Sequence, residues 1–265
     1  MRVGWFTGFV LAIAFALSPT AAHAGGSITV AAAADLQFAM NDIVTAFRQA
    51  HPADRVDVIY GSSGQFYTQI RQRAPFDLYF SADIAYPQAL VKAGLAASVP
   101  RRYAIGRIVL WSATLDASKL RLQDLADPRF DRIAIANPEH APYGKRAQQA
   151  LQASGVWGKV RDRLVYGENI AQTAQFVQTG NARIGIIALS LAMNPAFAAR
   201  GGYALIPADL HDPLEQGYVI TRRAANNPLA LAFARFIESP QAKAILQRYG
   251  FSGTQPTPAH EAASR

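Results

Sequence analysis

The feature that most constrains the fold is a regular alternation of short apolar runs with amphipathic segments along the chain. The first run starts at Ile28 and ends near Ala34, and apolar residues at helical spacing follow from Leu36 to Phe47. The pattern predicts further strands over 56–60, 76–80, 105–111, 133–136, 184–189 and 217–220. It predicts further helices over 66–70, 87–92, 120–125, 147–151, 170–177, 228–237 and 240–249. Elements in this order are typical of α/β proteins, whose parallel sheets are covered by helices on both faces.

The alternation falls into two blocks, because a new block starts near Tyr103 and the chain returns late, near Gly217. We therefore predict an α/β fold with two Rossmann-like lobes around a ligand cleft. The first lobe comprises residues 25–103 and 217–251, and the second comprises residues 104–216. Residues 252–265, which are rich in Pro, Ser and Ala, are expected to form a disordered tail.

The N-terminal residues 1–24 are predicted to be a secretory signal peptide. Arg2 gives the positive start, and the apolar run from Gly8 to Leu17 is shorter than the roughly 20 residues of a membrane-spanning helix. Small residues at Ala22 and Ala24 predict cleavage after Ala24, with an uncleaved anchor as the alternative. The mature protein is therefore expected in the periplasm.

Composition excludes several classes of protein. The chain has no cysteine, which rules out disulfides, a thiol nucleophile, a Cys-ligated zinc site and an iron–sulfur cluster. The formal net charge is +8, but Lys and Arg form no stripe with interleaved aromatic residues, so no nucleic-acid partner is expected. The pairs Arg101–Arg102 and Arg222–Arg223 are interpreted as solvated surface charges.

Four loops are candidates for ligand binding, because ligands of such sheets bind where strands end and helices begin. These loops are residues 31–35, 61–64, 142–144 and 168–170. Small residues let backbone N–H groups approach a ligand, and a helix N-terminus favours an anion. The loops therefore predict an anion site made of neutral donors. The candidate binding residues are Ala34, Asp35, Ser62, Ser63, Tyr143, Asn169 and Ile170.

The same residues also have purely structural interpretations. The two serines and Asn169 could cap helices, and Tyr143 could be a packed turn residue. Signs of an enzyme are weak, since the chain has neither a Gly-x-x-x-x-Gly-Lys phosphate loop nor a Gly-x-Ser-x-Gly elbow. The histidines at 51, 140, 211 and 260 lack metal-ligand spacing. No enzymatic activity, catalytic residue or cofactor is therefore expected.

Seven stretches of the sequence, taken together, are more specific evidence of a family than any single loop. They are AAAADLQFAM, YGSSGQFYTQI, APFDLYFSAD, YAIGRIVLWSA, ANPEHAPYG, GENIAQTAQFV and SPQAKAILQRYGF. From about Ile28 to Phe251 they resemble the periplasmic molybdate-binding proteins of ABC importers. The resemblance implies a type II periplasmic binding protein fold that closes on molybdate, and also on tungstate, without chemistry on the ligand. It also implies delivery to an ABC permease in the inner membrane, and a monomer.

The resemblance assigns individual donors. The family's serine donor falls on Ser63, with Ser62 beside it, and its backbone amide donor falls on Ile170. A tyrosine used by one branch of the family falls on Tyr143, whereas the tyrosine of another branch is replaced here by Ala188. Molybdenum or tungsten would thus be held as an oxyanion, whose oxygens accept hydrogen bonds from Ser63, Tyr143 and Ile170.

Asp35 departs from the family, which commonly has a serine or asparagine donor at this position. An ionised carboxylate only accepts hydrogen bonds, and it would repel a dianion roughly 4 Å away by about 8 kcal/mol at an effective dielectric near 20. Three hypotheses remain open. Asp35 caps the long helix with its side chain turned away from the ligand, or it is protonated and donates, or the ligand is not molybdate.

Three other functions also remain open. A receptor for another oxyanion or small solute on the same fold would account for Asp35. A secreted serine hydrolase would need a histidine within hydrogen-bonding reach of Ser62 or Ser63. A basic protein that binds nucleic acid or membrane surfaces would show a steep dependence on salt.

Overall fold

The computed structural model of the protein describes residues 25–198 and 202–253. The predicted signal peptide at 1–24, and residues 254–265 of the predicted tail, lie outside the described residues. Within these ranges, no helix has the length and apolar character needed to cross a membrane.

The described residues form two five-stranded sheets, here called sheet one and sheet two. In chain order the strands are β1 (Ser27–Ala33), β2 (Arg55–Gly61), β3 (Leu78–Ser81), β4 (Arg101–Gly106), β5 (Ile108–Trp111), β6 (Ile133–Ala136), β7 (Leu164–Gly167), β8 (Ile184–Ala188), β9 (Tyr203–Leu205) and β10 (Leu214–Ile220). Sheet one has the order β2-β1-β3-β10-β4, and sheet two has the order β7-β6-β8-β5-β9.

Helices connect most of these strands. In chain order the α-helices are α1 (Gln37–Ala50), α2 (Ser63–Arg71), α3 (Ala85–Lys92), α4 (Pro142–Ala153), α5 (Trp157–Val160), α6 (Ile170–Gln178), α7 (Leu189–Ala192), α8 (Pro195–Ala198), α9 (Pro228–Ile237) and α10 (Pro240–Arg248). Short 3₁₀ turns occupy Ala34–Leu36, Leu122–Ala126, Arg161–Arg163, Ala208–Leu210 and Arg222–Ala224. The segment predicted as a helix over 120–125 is therefore a 3₁₀ turn. The pattern did not predict α5, α7, α8, β7 or β9.

The expected parallel sheets are in fact mixed. β1 pairs in parallel with β2 and β3, but β10 runs antiparallel to both β3 and β4. Sheet two repeats this arrangement, since β6 is parallel to β7 and β8 while β5 is antiparallel to β8 and β9. The prediction was wrong for these strands because each returning strand enters the sheet without a crossover helix.

The chain passes between the sheets at two places. The run 105–111, predicted as one strand, is divided at Arg107 into the end of β4 in sheet one and the start of β5 in sheet two. The second passage lies between β9 and β10. The predicted lobe limits at 103/104 and 216/217 therefore fall inside β4 and β10. Ser252, predicted to lie in the tail, exchanges two backbone hydrogen bonds with Ile105 of β4.

Helix α1 shows how the sequence pattern produces the packing. Its buried residues are Ala39, Met40, Ile43, Val44 and Phe47, which are those that the helical spacing predicted. The Phe47 ring packs edge-on against Phe233 of α9, with ring centroids 5.1 Å apart. This packing fixes α1 behind sheet one, so the loop between β1 and α1 is held at the carboxyl end of the central strands.

Candidate functional site

A small cavity lies where the loops of the two sheets meet. Sheet one contributes the loops after β1, β2 and β3, and sheet two contributes the starts of α4 and α6. The space open to the centre of a water molecule is about 10 Å³, so the walls nearly fill the cavity. The lining residues include all seven candidate binding residues. They are Ala33, Ala34, Asp35, Gly61, Ser62, Ser63, Ala82, Ala141, Pro142, Tyr143, Asn169 and Ile170.

Ser62 and Ser63 begin α2, but neither hydroxyl caps the helix, so the structural interpretation of both as caps is wrong. The Ser62 hydroxyl donates to the backbone carbonyl of His140 at 2.5 Å. The Ser63 Oγ accepts the backbone N–H of Ala82 at 3.0 Å. That bond does not use the hydroxyl proton of Ser63, which is therefore available to a ligand.

Asn169 caps α6, as its structural interpretation predicted. Its Oδ1 accepts the backbone N–H groups of Ala171 and Gln172, both at 3.0 Å. The first N–H of a helix has no acceptor within the helix, and here it belongs to Ile170 at the cavity wall. The cap therefore satisfies the neighbouring amides and leaves the amide of Ile170 for a ligand.

Asp35 lies in the 3₁₀ turn before α1 and does not cap that helix. The hypothesis of a capping role is therefore wrong. The side chain is 1% exposed, and its Oδ2 accepts hydrogen bonds from the Tyr143 hydroxyl at 2.9 Å and from the Gln216 amide at 2.6 Å. Burial raises the pKa of Asp35 from 3.8 to about 6, and the bonds from Gln216 and Tyr143, followed by the nearby backbone N–H groups of Asp35 and Leu36, partly oppose this rise. The other oxygen, Oδ1, has no hydrogen-bond partner among the described residues.

Gln216 and Tyr103 extend this network, and sequence reasoning missed both. Gln216 lies in β10 and is fully buried, and its Oε1 accepts the hydroxyl of Tyr103 from β4 at 2.5 Å. A glutamine one position before the apolar run Gly217–Ile220 was the available signal, because a polar residue in a buried strand needs partners.

Tyr143 is buried, and its hydroxyl proton is donated to Asp35. Burial, followed by the charge of Asp35, raises the pKa of Tyr143 well above its usual value, so the phenol stays protonated. Gly106 permits this arrangement, because a Cβ at that position would collide with the Tyr143 hydroxyl and lie 2.7 Å from the Gln216 amide nitrogen. Tyr143 therefore positions the carboxyl group of Asp35 at the cavity.

A histidine does lie near one of the serines, which is the geometry that a hydrolase would need. The Nδ1 of His140 is 3.0 Å from the Ser62 Oγ, and its Nε2 is 3.5 Å from Glu168. The Ser62 proton, however, is donated to the His140 carbonyl, so the imidazole must donate to the serine and cannot act as its base. Ser62 is also only 2% exposed. The arrangement joins two loops and does not activate a nucleophile.

Several polar contacts hold the two sheets together around the cavity. The Gln65 amide of α2 donates to Glu168 at 2.8 Å, and the backbone N–H of Gly64 donates to the His140 carbonyl at 2.9 Å. Farther along the wall, the Ser190 hydroxyl of α7 donates to the backbone carbonyl of Asp35 at 2.8 Å. These contacts therefore join elements of both sheets around the cavity.

Arg146 of α4 provides a further contact behind the cavity. It is 6% exposed, and it forms an ion pair with Asp83 of sheet one at 3.2 Å. It also donates to the carbonyls of Asp212 and Pro213, which precede β10. Arg146 does not line the cavity, so its charge serves the contact between the sheets.

The surface arginine pairs are placed as the sequence predicted. Arg102 forms an exposed ion pair with Glu215 at 2.7 Å, and Arg223 pairs with Asp77 at 3.2 Å. Arg222 is exposed beside a groove at the opposite end of sheet one from the cavity.

Residues 28–252 match a protein family described as bacterial extracellular solute-binding protein. The molybdate-binding protein ModA of Azotobacter vinelandii is 35% identical over 243 residues, covering 91% of this chain and 96% of that protein. ModA of Rhodobacter capsulatus is 34% identical over 247 residues, covering 91% of this chain and 94% of its own length.

Solved structures agree with this match. The periplasmic molybdate-binding protein of A. vinelandii superimposes with a TM-score of 0.81 at 31% identity, covering 86% of this chain and 100% of that chain. The expected α/β fold of the periplasmic binding protein type is thereby confirmed. The sulfate-binding protein SubI of Mycobacterium tuberculosis has a TM-score of 0.70 at 17% identity, covering 87% of this chain and 88% of that one, and it shares the fold alone.

Proposed function

The chain belongs to the family of bacterial extracellular solute-binding proteins, and on this premise we propose that it captures molybdate in the cavity between its two sheets. Two relatives at 35% and 34% identity are molybdate-binding proteins, which supports this choice of solute. The relatives bind solutes and are not enzymes, which supports a role in binding without chemistry on the ligand.

The observation that carries the proposal is the set of neutral donors around one cavity. The Ser63 hydroxyl and the backbone N–H of Ile170 approach from opposite sheets. The turn at Ala34 and Asp35 adds backbone N–H groups at the start of a helical segment. Such donors replace the water around an oxyanion, and each hydrogen bond strengthens when the site excludes solvent.

The charge of the oxyanion is balanced without a cation at the cavity wall. None of the lining residues is Lys, Arg or His. The N-termini of α2, α4 and α6 point at the cavity instead, and each carries a partial positive charge from its aligned peptide dipoles. Neutral donors favour a tetrahedral dianion over a ligand that needs a salt bridge.

Selectivity follows from size in this proposal. Molybdate and sulfate are both tetrahedral dianions, so donors alone do not distinguish them. The closed walls fix the distances between donors, so sulfate, which is smaller, would leave some of them without a partner. Tungstate has nearly the size of molybdate, and we include it among the ligands.

The proposed site of action is the periplasm, after cleavage of residues 1–24 near Ala24. The partner is an ABC permease of the inner membrane, and the protein acts as a monomer. We also propose that the two sheets define two lobes, joined through β4–β5 and β9–β10, which close on the ligand.

Calorimetric titration of residues 25–265 with molybdate, tungstate and sulfate tests the proposal. We expect one-to-one binding of molybdate and tungstate, and weak binding of sulfate. Ser63→Ala should weaken molybdate binding at least about tenfold, because a hydrogen bond to a charged group contributes about 1.5–3 kcal/mol. Ser118→Ala is the matched control, since Ser118 is exposed and does not line the cavity.

Equal loss of affinity in both variants would contradict the placement of the site. Absence of binding by all three oxyanions would contradict molybdate as the ligand. It would favour another small solute on the same fold, and the carboxyl group of Asp35 would then be the first indication of which solute binds.

A further inference from the structure

The unpartnered oxygen of Asp35 is a feature that neutral donors do not explain. An acidic side chain with 1% exposure lines a cavity proposed for an anion, and its Oδ1 has no hydrogen-bond partner among the described residues. A buried carboxylate oxygen without a partner is unfavourable, and a dianion beside it would be repelled. Both problems disappear when this oxygen carries a proton.

We propose that Asp35 is protonated when the oxyanion is bound and donates a hydrogen bond from Oδ1, so that one proton enters the site with each oxyanion. The inference rests on the proposed function and names a determinant of that same site. The proton comes from solvent and stays on the carboxyl group, so the ligand itself is unchanged.

The hydrogen bonds around Asp35 select which oxygen receives the proton. Oδ2 already accepts two donors, the Tyr143 hydroxyl at 2.9 Å and the Gln216 amide at 2.6 Å. These bonds fix the plane of the carboxyl group, and they occupy the lone pairs of that oxygen. A proton therefore goes to Oδ1, where it converts an acceptor that would repel the ligand into a donor.

The surroundings offer no cation that would keep Asp35 ionised. Among the described residues, no Lys, Arg or His forms an ion pair with it. The titratable groups that face it are Tyr143 of α4 and Tyr103 of β4, both of which stay neutral because burial raises their pKa well above the usual value. Helices α6 and α7, which also contact the turn, contribute no titratable side chain.

The remaining titratable groups on neighbouring elements have other partners. The Tyr60 hydroxyl of β2 donates to Asn41, and Asp42 of α1 pairs with Arg248. His140 does not line the cavity, but it contacts the lining residue Ser62 and also Glu168. His140 is therefore the competing candidate for a proton that accompanies the ligand.

The proton is readily available near neutral pH. Because burial raises the pKa of Asp35 to about 6, its carboxyl group takes up a proton near neutral pH more readily than an exposed aspartate does. A bound dianion raises the pKa further, since a nearby negative charge disfavours the ionised carboxylate.

Calorimetry of the mature protein with molybdate, in two buffers with different ionisation enthalpies, counts the protons taken up. We expect about one proton per oxyanion at pH 8, and an affinity that falls about tenfold per pH unit between pH 6.5 and 8.5. Asp35→Asn supplies a neutral donor of the same shape. It should bind at least as tightly as the wild type at pH 8, without proton uptake.

Asp42→Asn is the matched control, because it removes the same charge from an exposed position of α1 and should leave the proton count unchanged.

Binding by the wild type without proton uptake would overturn this inference while leaving the proposed function intact. Proton uptake that persists in Asp35→Asn would assign the proton to another group, His140 first. A loss of affinity above tenfold in Asp35→Asn would show that Asp35 acts as an acceptor. If neither protein binds an oxyanion, the proposed function fails and the inference fails with it.

Discussion

At the scale of single residues, Asp35 shows how a buried acid is tolerated. Its carboxyl group is held by a phenol from sheet two and an amide from sheet one, so its position depends on both sheets being in contact. These two bonds lower a pKa that burial alone would raise further. The folded protein therefore contains an acid that is easier to protonate than an exposed aspartate.

The raised pKa of Asp35 makes the stability of the folded protein depend on pH. The folded pKa of Asp35 is about 6, compared with 3.8 when unfolded, so its contribution is fully present below pH 3.8 and is lost as the pH rises to about 6. The shift corresponds to about 3 kcal/mol. In urea denaturation, the wild type should lose about 2.4 kcal/mol of the free energy of unfolding relative to Asp35→Asn between pH 4 and pH 7, because part of the contribution is already lost at pH 4. Parallel pH profiles for the two proteins would contradict the raised pKa.

At the scale of elements, the starts of the helices connect the fold to the site. Helices α6 and α9 begin in the same way, with an asparagine whose Oδ1 accepts two backbone N–H groups. Only the first of these caps, Asn169, lines the cavity. A comparison of the two caps therefore separates the effect of a cap on stability from its effect on binding.

Replacement of either cap by alanine should reduce the free energy of unfolding by about 1 kcal/mol. Asn169→Ala should also weaken molybdate binding several-fold, because the first turn of α6 frays and the Ile170 amide loses its fixed direction. Asn227→Ala should leave binding unchanged. Thermal unfolding and calorimetric titration of both variants provide the measurements. An equal effect of the two caps on affinity would argue against a role for α6 in the site.

The elements were largely predictable from sequence, whereas their pairing was not. The spacing of Ala39, Met40 and Ile43 predicted α1 because a buried helical face repeats every 3.6 residues. Periodicity carries no information about which sheet a strand joins, so the passage at Arg107 was not predicted, although Gly106 and Arg107 interrupt the apolar run. The loops of the site could be found because strand ends converge in this fold class. The hydrogen-bond partners of Asp35 could not be predicted, since Gln216 lies 181 positions from Asp35 in the sequence.

At the scale of the whole molecule, polar contacts join the two sheets around the cavity. Some are buried, such as the pair of Arg146 with Asp83, and others are exposed at the rim, such as Gln65 with Glu168. Exposed hydrogen bonds of this kind contribute little to the stability of either sheet. In the closing motion that we propose, such contacts form as the sheets approach, so they shift the equilibrium toward the closed form.

Gln65→Ala should therefore increase the dissociation rate of molybdate about two- to fivefold, as expected from the loss of one hydrogen bond of about 0.5–1 kcal/mol. Gln149→Ala is the matched control, because Gln149 makes a similar exposed bond to Asp212 at 2.7 Å and does not span the cavity. Stopped-flow dissociation measures both rates. Equal rates in the two variants would show that the rim contact has no part in closure.

The order of strands also determines on which side the two sheets can separate. Both passages of the chain run through strands at one edge of each sheet, β4 and β10 in sheet one and β5 and β9 in sheet two, whereas the rim contact of Gln65 joins loops after the opposite edge strands, β2 and β7. If the two sheets separate as we propose, the gap widens on the β2–β7 side, because the peptide chain joins the sheets on the other side. Solute would then enter and leave on the β2–β7 side, and the proposed ABC permease would meet the protein at the surface through which the solute entered.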